Sequence, residues 1–279
     1  MFSEPIKPLL LAAIGLSVLA GCSSDKSKES EQQAAQLLSE SRECFETGRY
    51  EEALRLLDSI DRSLPGALKT RKEASQFRPE VLERHTARQL SLTDSLMTVN
   101  SILGDSLRSL VEYVSNPIEG YYAVKGEGAT NVRDKAGLHC RVSADYHFYI
   151  VATSAGGRNA TAVQLSAGGK SVRSNDVPYD GERNCRTGAG MSITFTEAES
   201  APLADFIEKI AAAGNTVEMA FLDNGRPVST LTLTPEQLRS AAIISGFSRA
   251  VRNDKKYRIE KQRLQSQLEI ARQQIANAH

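Results

Sequence analysis

Apolar positions recur at spacings of three and four through the first part of the chain. From Gln33 to Pro65, Ala35, Leu38, Cys44 and Phe45 fall on one helical face, then Gly48-Arg49-Tyr50 interrupts. Ala53, Leu54, Leu56, Leu57 and Ile60 mark a second helix that stops at Pro65. A third helix is predicted from about Pro79 to Val114, with Leu92, Leu96, Val99, Leu103, Leu107, Leu110 and Val114 as a coiled-coil-like stripe. Gly104 weakens it and Asn116-Pro117 ends it.

From Gly120 the period shortens. Strands are predicted over 121–124, 138–142, 146–152, 161–165 and 191–195, separated by glycine-rich turns. A short helix over 204–213 follows, then a hairpin, 216–222 and 228–233, around Asp223-Asn224-Gly225. Thr234-Pro235-Glu236-Gln237 starts a last helix that runs almost to the end, with Ile243, Phe247, Ala250, Tyr257, Leu264, Leu268, Ala271 and Ile275 in heptad register.

The fold class is therefore α+β. It comprises a helical hairpin and a long helix over 33–116, an antiparallel β-rich domain over 117–234, sandwich-like or an open barrel, and a C-terminal helix over 235–279. The simplest arrangement pairs the two long helices antiparallel. The alternative is a homodimer in which either helix pairs with its copy, and the sequence leaves both open.

Before the first helix, Lys7 precedes an apolar run from Pro8 to Ala20 that ends in Leu19-Ala20-Gly21-Cys22. The run is shorter than the roughly 20 residues a membrane-spanning helix needs, and its layout is that of a cleaved secretory signal. The closing four residues resemble the lipobox of bacterial lipoproteins. That resemblance implies that 1–21 is removed, that Cys22 carries the lipid, and that everything after it is tethered to a membrane. Residues 22–32, small and polar, are expected to be a flexible tether. Ser23 after the lipidated cysteine implies, by the same resemblance, the outer membrane of the cell envelope. The segment Gly48-Arg49-Tyr50-Glu51-Glu52-Ala53-Leu54, closed by Pro65, resembles a single tetratricopeptide repeat. Ala53 takes the small helix-contact position and Pro65 the terminating one.

Composition narrows the function. With 34 Lys and Arg against 34 Asp and Glu and a formal net charge of zero, nucleic acid is disfavoured as a partner. Trp is absent and aromatics are sparse, so no sugar-stacking groove is suggested. Of the four cysteines, the lipobox resemblance implies that Cys22 is lipidated, and Cys44 is read as a small core hydrophobe. Cys140 and Cys185 are read as a disulfide in a permissive compartment, with two free thiols as the alternative. No zinc-type spacing, phosphate loop or nucleophile–base pattern is present, so no metal, cofactor or catalytic residue is assigned. The expectation is a non-enzymatic scaffold or protein-binding module of the envelope. The alternative is a hydrolase-like enzyme, or a protein binding a small ligand or glycan on the β domain.

Overall fold

The computed structural model describes residues 23–115, 119–128, 131–156, 159–188, 190–211 and 214–278. Residues 1–21, expected to be a signal segment, and Cys22 lie outside the described residues. Among the described residues the fold is α+β, with five helices and two antiparallel sheets, and it divides into two compact units. One unit takes residues 23–89 together with 264–278. The other is 90–263.

In the first unit α1 (Ser23–Glu46) and α2 (Tyr50–Ser63) form a hairpin, and α3 (Leu68–Arg108) begins beside them. Gly48 has φ +74 and makes the reversal between α1 and α2, a conformation that costs a residue without Cβ little. Ala53 is fully buried, and the Ser41 hydroxyl donates to its carbonyl at 3.0 Å, which fixes how closely the two helices approach. The core is Ala34, Leu38, Cys44, Leu57, Ile60, Ala67, Ala74 and Val81, with Phe45 against Phe77. Arg78 bridges Asp58 and Asp61, one turn apart on α2, at 2.6 Å each.

Two expectations change here. Residues 23–32 are the first turns of α1 rather than a tether. They contain no Gly or Pro, and Glu31 is bonded to the start of α3. The third helix starts at Leu68, with Pro79 inside it. Ala67, Ala74 and Val81 continue one buried face at seven-residue spacing, and that packing outweighs the hydrogen bond Pro79 removes.

The second unit holds the sheets. One has six strands in the order β1 (Val111–Val114), β2 (Tyr121–Val124), β3 (Gly137–Ser143), β4 (Phe148–Thr153), β8 (Met191–Phe195), β7 (Asn184–Arg186). The other has four, in the order β10 (Arg226–Thr232), β9 (Glu218–Asp223), β5 (Ala162–Ala167), β6 (Lys170–Arg173). All pairs are antiparallel. Ile150, Ile193 and Phe195 from the first sheet share one core with Val163, Leu165, Met219 and Phe221 from the second. α4 (Glu197–Ala211) adds Leu203 and Ile207, and α5 (Pro235–Ala278) adds Ile244 and Phe247.

Both helices start on a Thr-x-x-Glu/Gln pair, and at α5 the bonding is the reciprocal capping box. The Thr196 N–H donates to Glu199 at 2.7 Å. Thr234 and Gln237 exchange bonds at 3.0 and 3.2 Å. Val114, expected at the end of the third helix, is in β1, because the Val111-Glu112-Tyr113-Val114 run pairs with β2.

Candidate interaction surface on the long helix

Within the second unit, α3 meets α5 along Asn100, Gly104 and Leu107. The Asn100 side chain donates to the Ala250 carbonyl at 2.9 Å. A Cβ on Gly104 would lie 3.6 Å from that of Ala250, and one on Gly246 would lie 3.2 Å from the Leu107 side chain. Gly246 is thus the tight contact, and Gly104 leaves room for no more than a methyl. Lys261 pairs with Asp94 at 2.8 Å, and the Arg108 guanidinium lies over the Phe247 ring at 5.6 Å. Residue numbers rise along α3 as they fall along α5, so the helices are antiparallel.

Of the stripe that the sequence offers as the seam, α5 meets Leu107 but leaves the stretch before it open. Leu92, Leu96, Val99 and Leu103, with Ile102 beside them, are each at least 50% exposed, and Val99 and Ile102 about two-thirds so. The covered positions lie one residue further on, about 100° round the helix. Such an apolar run on a helix otherwise bordered by Ser and Thr marks an interaction surface. Sequence reasoning found the stripe and missed its vacancy. The signal was Asn100 and Gly104, a register-setting amide and a close-approach residue, in the neighbouring heptad.

Within the second unit the two cysteines are not brought together. Cys44, Cys140 and Cys185 are buried free thiols. Cys140 is on β3 and Cys185 on β7, with β4 and β8 between them. Three strand spacings amount to about 14 Å, whereas a disulfide needs Cα atoms within roughly 7 Å. The expected Cys140–Cys185 bond is therefore corrected to two separate thiols. Burial pushes the Cys140 thiol up to about 12, which makes it a core hydrophobe. Cys185 sits 3.5 Å from an Arg133 nitrogen.

The β domain also carries a cleft of about 490 Å³, lined among others by Glu127, His139, Arg141, Gln237 and Ser240. β3 is buried on both faces, because the segment before it folds back over its outer side. Gly128 accepts from the Tyr121 hydroxyl at 2.9 Å, Val132 from Thr153 at 2.8 Å, and Glu127 from Arg141 at 3.3 Å. Arg141 is 2% exposed. Its charge is met by the Glu127 and Cys140 carbonyls and by the Tyr121 ring at 5.4 Å.

Burial lowers the His139 pKa, so the imidazole is neutral at pH 7, and its Nε2–H is committed to the Lys135 carbonyl at 2.8 Å. The Ser240 hydroxyl donates to the Glu127 carboxylate. The cleft thus offers a hydroxyl already bonded to a carboxylate and a histidine facing a carbonyl, not a hydroxyl presented to an imidazole base. His147, on the turn before β4, pairs with Glu197 at 2.8 Å, away from both cysteines. Among the described residues no three His, Cys, Asp or Glu side chains gather as metal ligands, and no helix is long and apolar enough to cross a membrane.

Comparison with family models, with curated proteins and with solved structures gave no match to this chain.

Proposed function

We propose that the protein is a non-enzymatic scaffold of the bacterial envelope, held to a membrane through a lipid on Cys22 and docking a protein through α3. The observation that carries the docking half is the open stripe Leu92, Leu96, Val99 and Leu103 on a helix whose neighbouring face is already filled. The anchoring half draws on Leu19-Ala20-Gly21-Cys22 after a short apolar run. Two or three acyl chains give stable anchoring where one is marginal, and Ser23 directs the reading to the outer membrane.

The reading asks little of chemistry and much of geometry. A stripe on a regular helix is rigid, and an apolar face made of Leu, Val and Ile recognises another apolar helix face rather than a solvated substrate. The test has two arms. Radiolabelled palmitate should enter the wild-type chain and not Cys22→Ala, and the variant should leave the membrane fraction. A photo-crosslinking residue at Leu96 should form a protein adduct in intact cells. Unlabelled wild-type chain sinks the anchor, and absence of any adduct sinks the docking role.

A further inference from the structure

We infer that the occupant of the open α3 stripe is the same stripe of a second copy of this chain. This rests on the reading that the stripe docks a protein, and it names the partner.

Register is the first argument. Leu92, Leu96, Val99 and Leu103 are spaced four, three and four, the seam of a coiled coil. Asn100 and Gly104 lie one residue on from Val99 and Leu103 and, with Leu107, form a second seam that α5 fills. A helix with two adjacent seams is suited to a bundle of more than two helices. Two α3–α5 pairs joined through the open seams make such a bundle of four.

Charge is the second argument. An uncharged flank brings no like charge against its own copy, whichever way round the two copies pair. The positions bordering the stripe on the side away from α5 are Ser91, Ser95, Thr98, Ile102 and Ser106, all uncharged. The carboxylates of that stretch, Asp94 and Asp105, both fall on the side of the helix away from the stripe, and Asp94 is held by Lys261. A basic or acidic amphipathic helix would want a complementary charged border, and this border has none to give. A neutral partner with the same pattern fits, and the chain supplies one.

Area is the third. Five side chains at half exposure or more present on the order of 500 Å² of apolar surface per copy, so pairing buries roughly 1,000 Å², near the lower edge of specific interfaces. Copies held on one membrane meet at a raised effective concentration, which favours a contact of this size.

The experiment uses full-length chain in its own cells. Two copies with different affinity tags are co-expressed, and a photo-crosslinking residue replaces Ile102. Pairing predicts that one tag retrieves the other and that the adduct has twice the chain mass. Val99→Asp should lower retrieval about tenfold or more, because it buries a carboxylate against its own copy. The control Lys256→Asp, on the exposed side of α5, should leave retrieval unchanged. Val99 is two-thirds exposed, so Val99→Asp should keep the wild-type circular dichroism melt, and that measurement separates lost pairing from lost folding. Adducts to other proteins without the double-mass species overturn self-pairing and leave the docking role standing. No adduct overturns both. Undiminished retrieval by Val99→Asp also overturns self-pairing.

Discussion

The side-chain amide of Asn100 donates to the backbone carbonyl of Ala250 at 2.9 Å, joining two helices that are 150 residues apart in the chain. Both groups are buried, and the bond is directional, so it fixes the axial register of α3 against α5 in a way that apolar contacts do not. Asn100→Ala removes the donor and leaves the carbonyl with its own helical N–H. The expected cost is about 1 kcal/mol, which lowers the melting temperature by about 2–4 °C in a chain of this size. Thermal unfolding followed by circular dichroism measures it. An unchanged midpoint would show that register is set elsewhere.

Gly104 is the complementary case. Its missing Cβ would lie 3.6 Å from Ala250 Cβ, an ordinary contact distance. One methyl therefore fits, and Gly104→Ala should stabilise the chain by about 0.5–1 kcal/mol through helix propensity. Anything larger has to push the helices apart, so Gly104→Leu should destabilise by about 1–3 kcal/mol. Urea unfolding of the pair should show opposite signs, and two changes of the same sign would refute the close approach.

The same two residues explain how far the sequence could be read. The heptad Leu92, Leu96, Val99, Leu103 was legible as a face, because periodicity reports which side of a helix is apolar. What covers a face is a tertiary fact, and here the filled seam is the neighbouring one, made of an amide and a glycine that no hydropathy pattern selects. The hairpin at Asp223-Asn224-Gly225 was legible because its turn needs positive φ at two positions, and Asn224 and Gly225 have φ +48 and +76. β7 was not. It is three residues long and starts at Asn184, a fully buried amide that donates to the Ala160 and Val177 carbonyls at 2.8 and 2.7 Å. Counting cysteines suggested a bond between Cys140 and Cys185, but count carries no strand order, and strand order places two strands between them. The cleft around Arg141 was equally hidden, since it depends on the segment folded over the outer face of β3.

The thiols give a direct check on that correction. Cys140 is 2% exposed, and burial has pushed its pKa to about 12, so at pH 8 it is a protected thiol rather than a nucleophile. Iodoacetamide should leave Cys140 unmodified in the native chain and label it after denaturation. With no disulfide to lose, adding a reductant should leave the melting temperature unchanged. A Cys140–Cys185 cross-linked peptide in mass spectra, or a midpoint that falls under reductant, would contradict the strand order.

Acid should loosen the first unit at a definable place. The Glu31 carboxylate on α1 accepts from the backbone N–H groups of Lys69 and Thr70 at 2.9 and 3.2 Å and from the Thr70 hydroxyl at 2.8 Å. It thus closes the open N–H groups at the start of α3, where a negative charge is also favoured by the helix dipole. The Thr70 hydroxyl first, then the Lys69 N–H, holds the Glu31 pKa below its ordinary 4.5. A carboxyl with a depressed folded pKa contributes stability that is present above the unfolded value and lost as pH falls through the folded one. Glu31→Gln keeps the shape and removes the charge. At pH 7 the wild type should therefore melt above Glu31→Gln, and the gap should close as the pH drops below 4.5 and the wild-type carboxyl takes up its proton. The site is exposed, so raising the salt at pH 7 should also narrow the gap. Melting curves of both chains from pH 7 to pH 3 decide it, and a gap independent of pH would mean that shape rather than charge holds α1 to the start of α3.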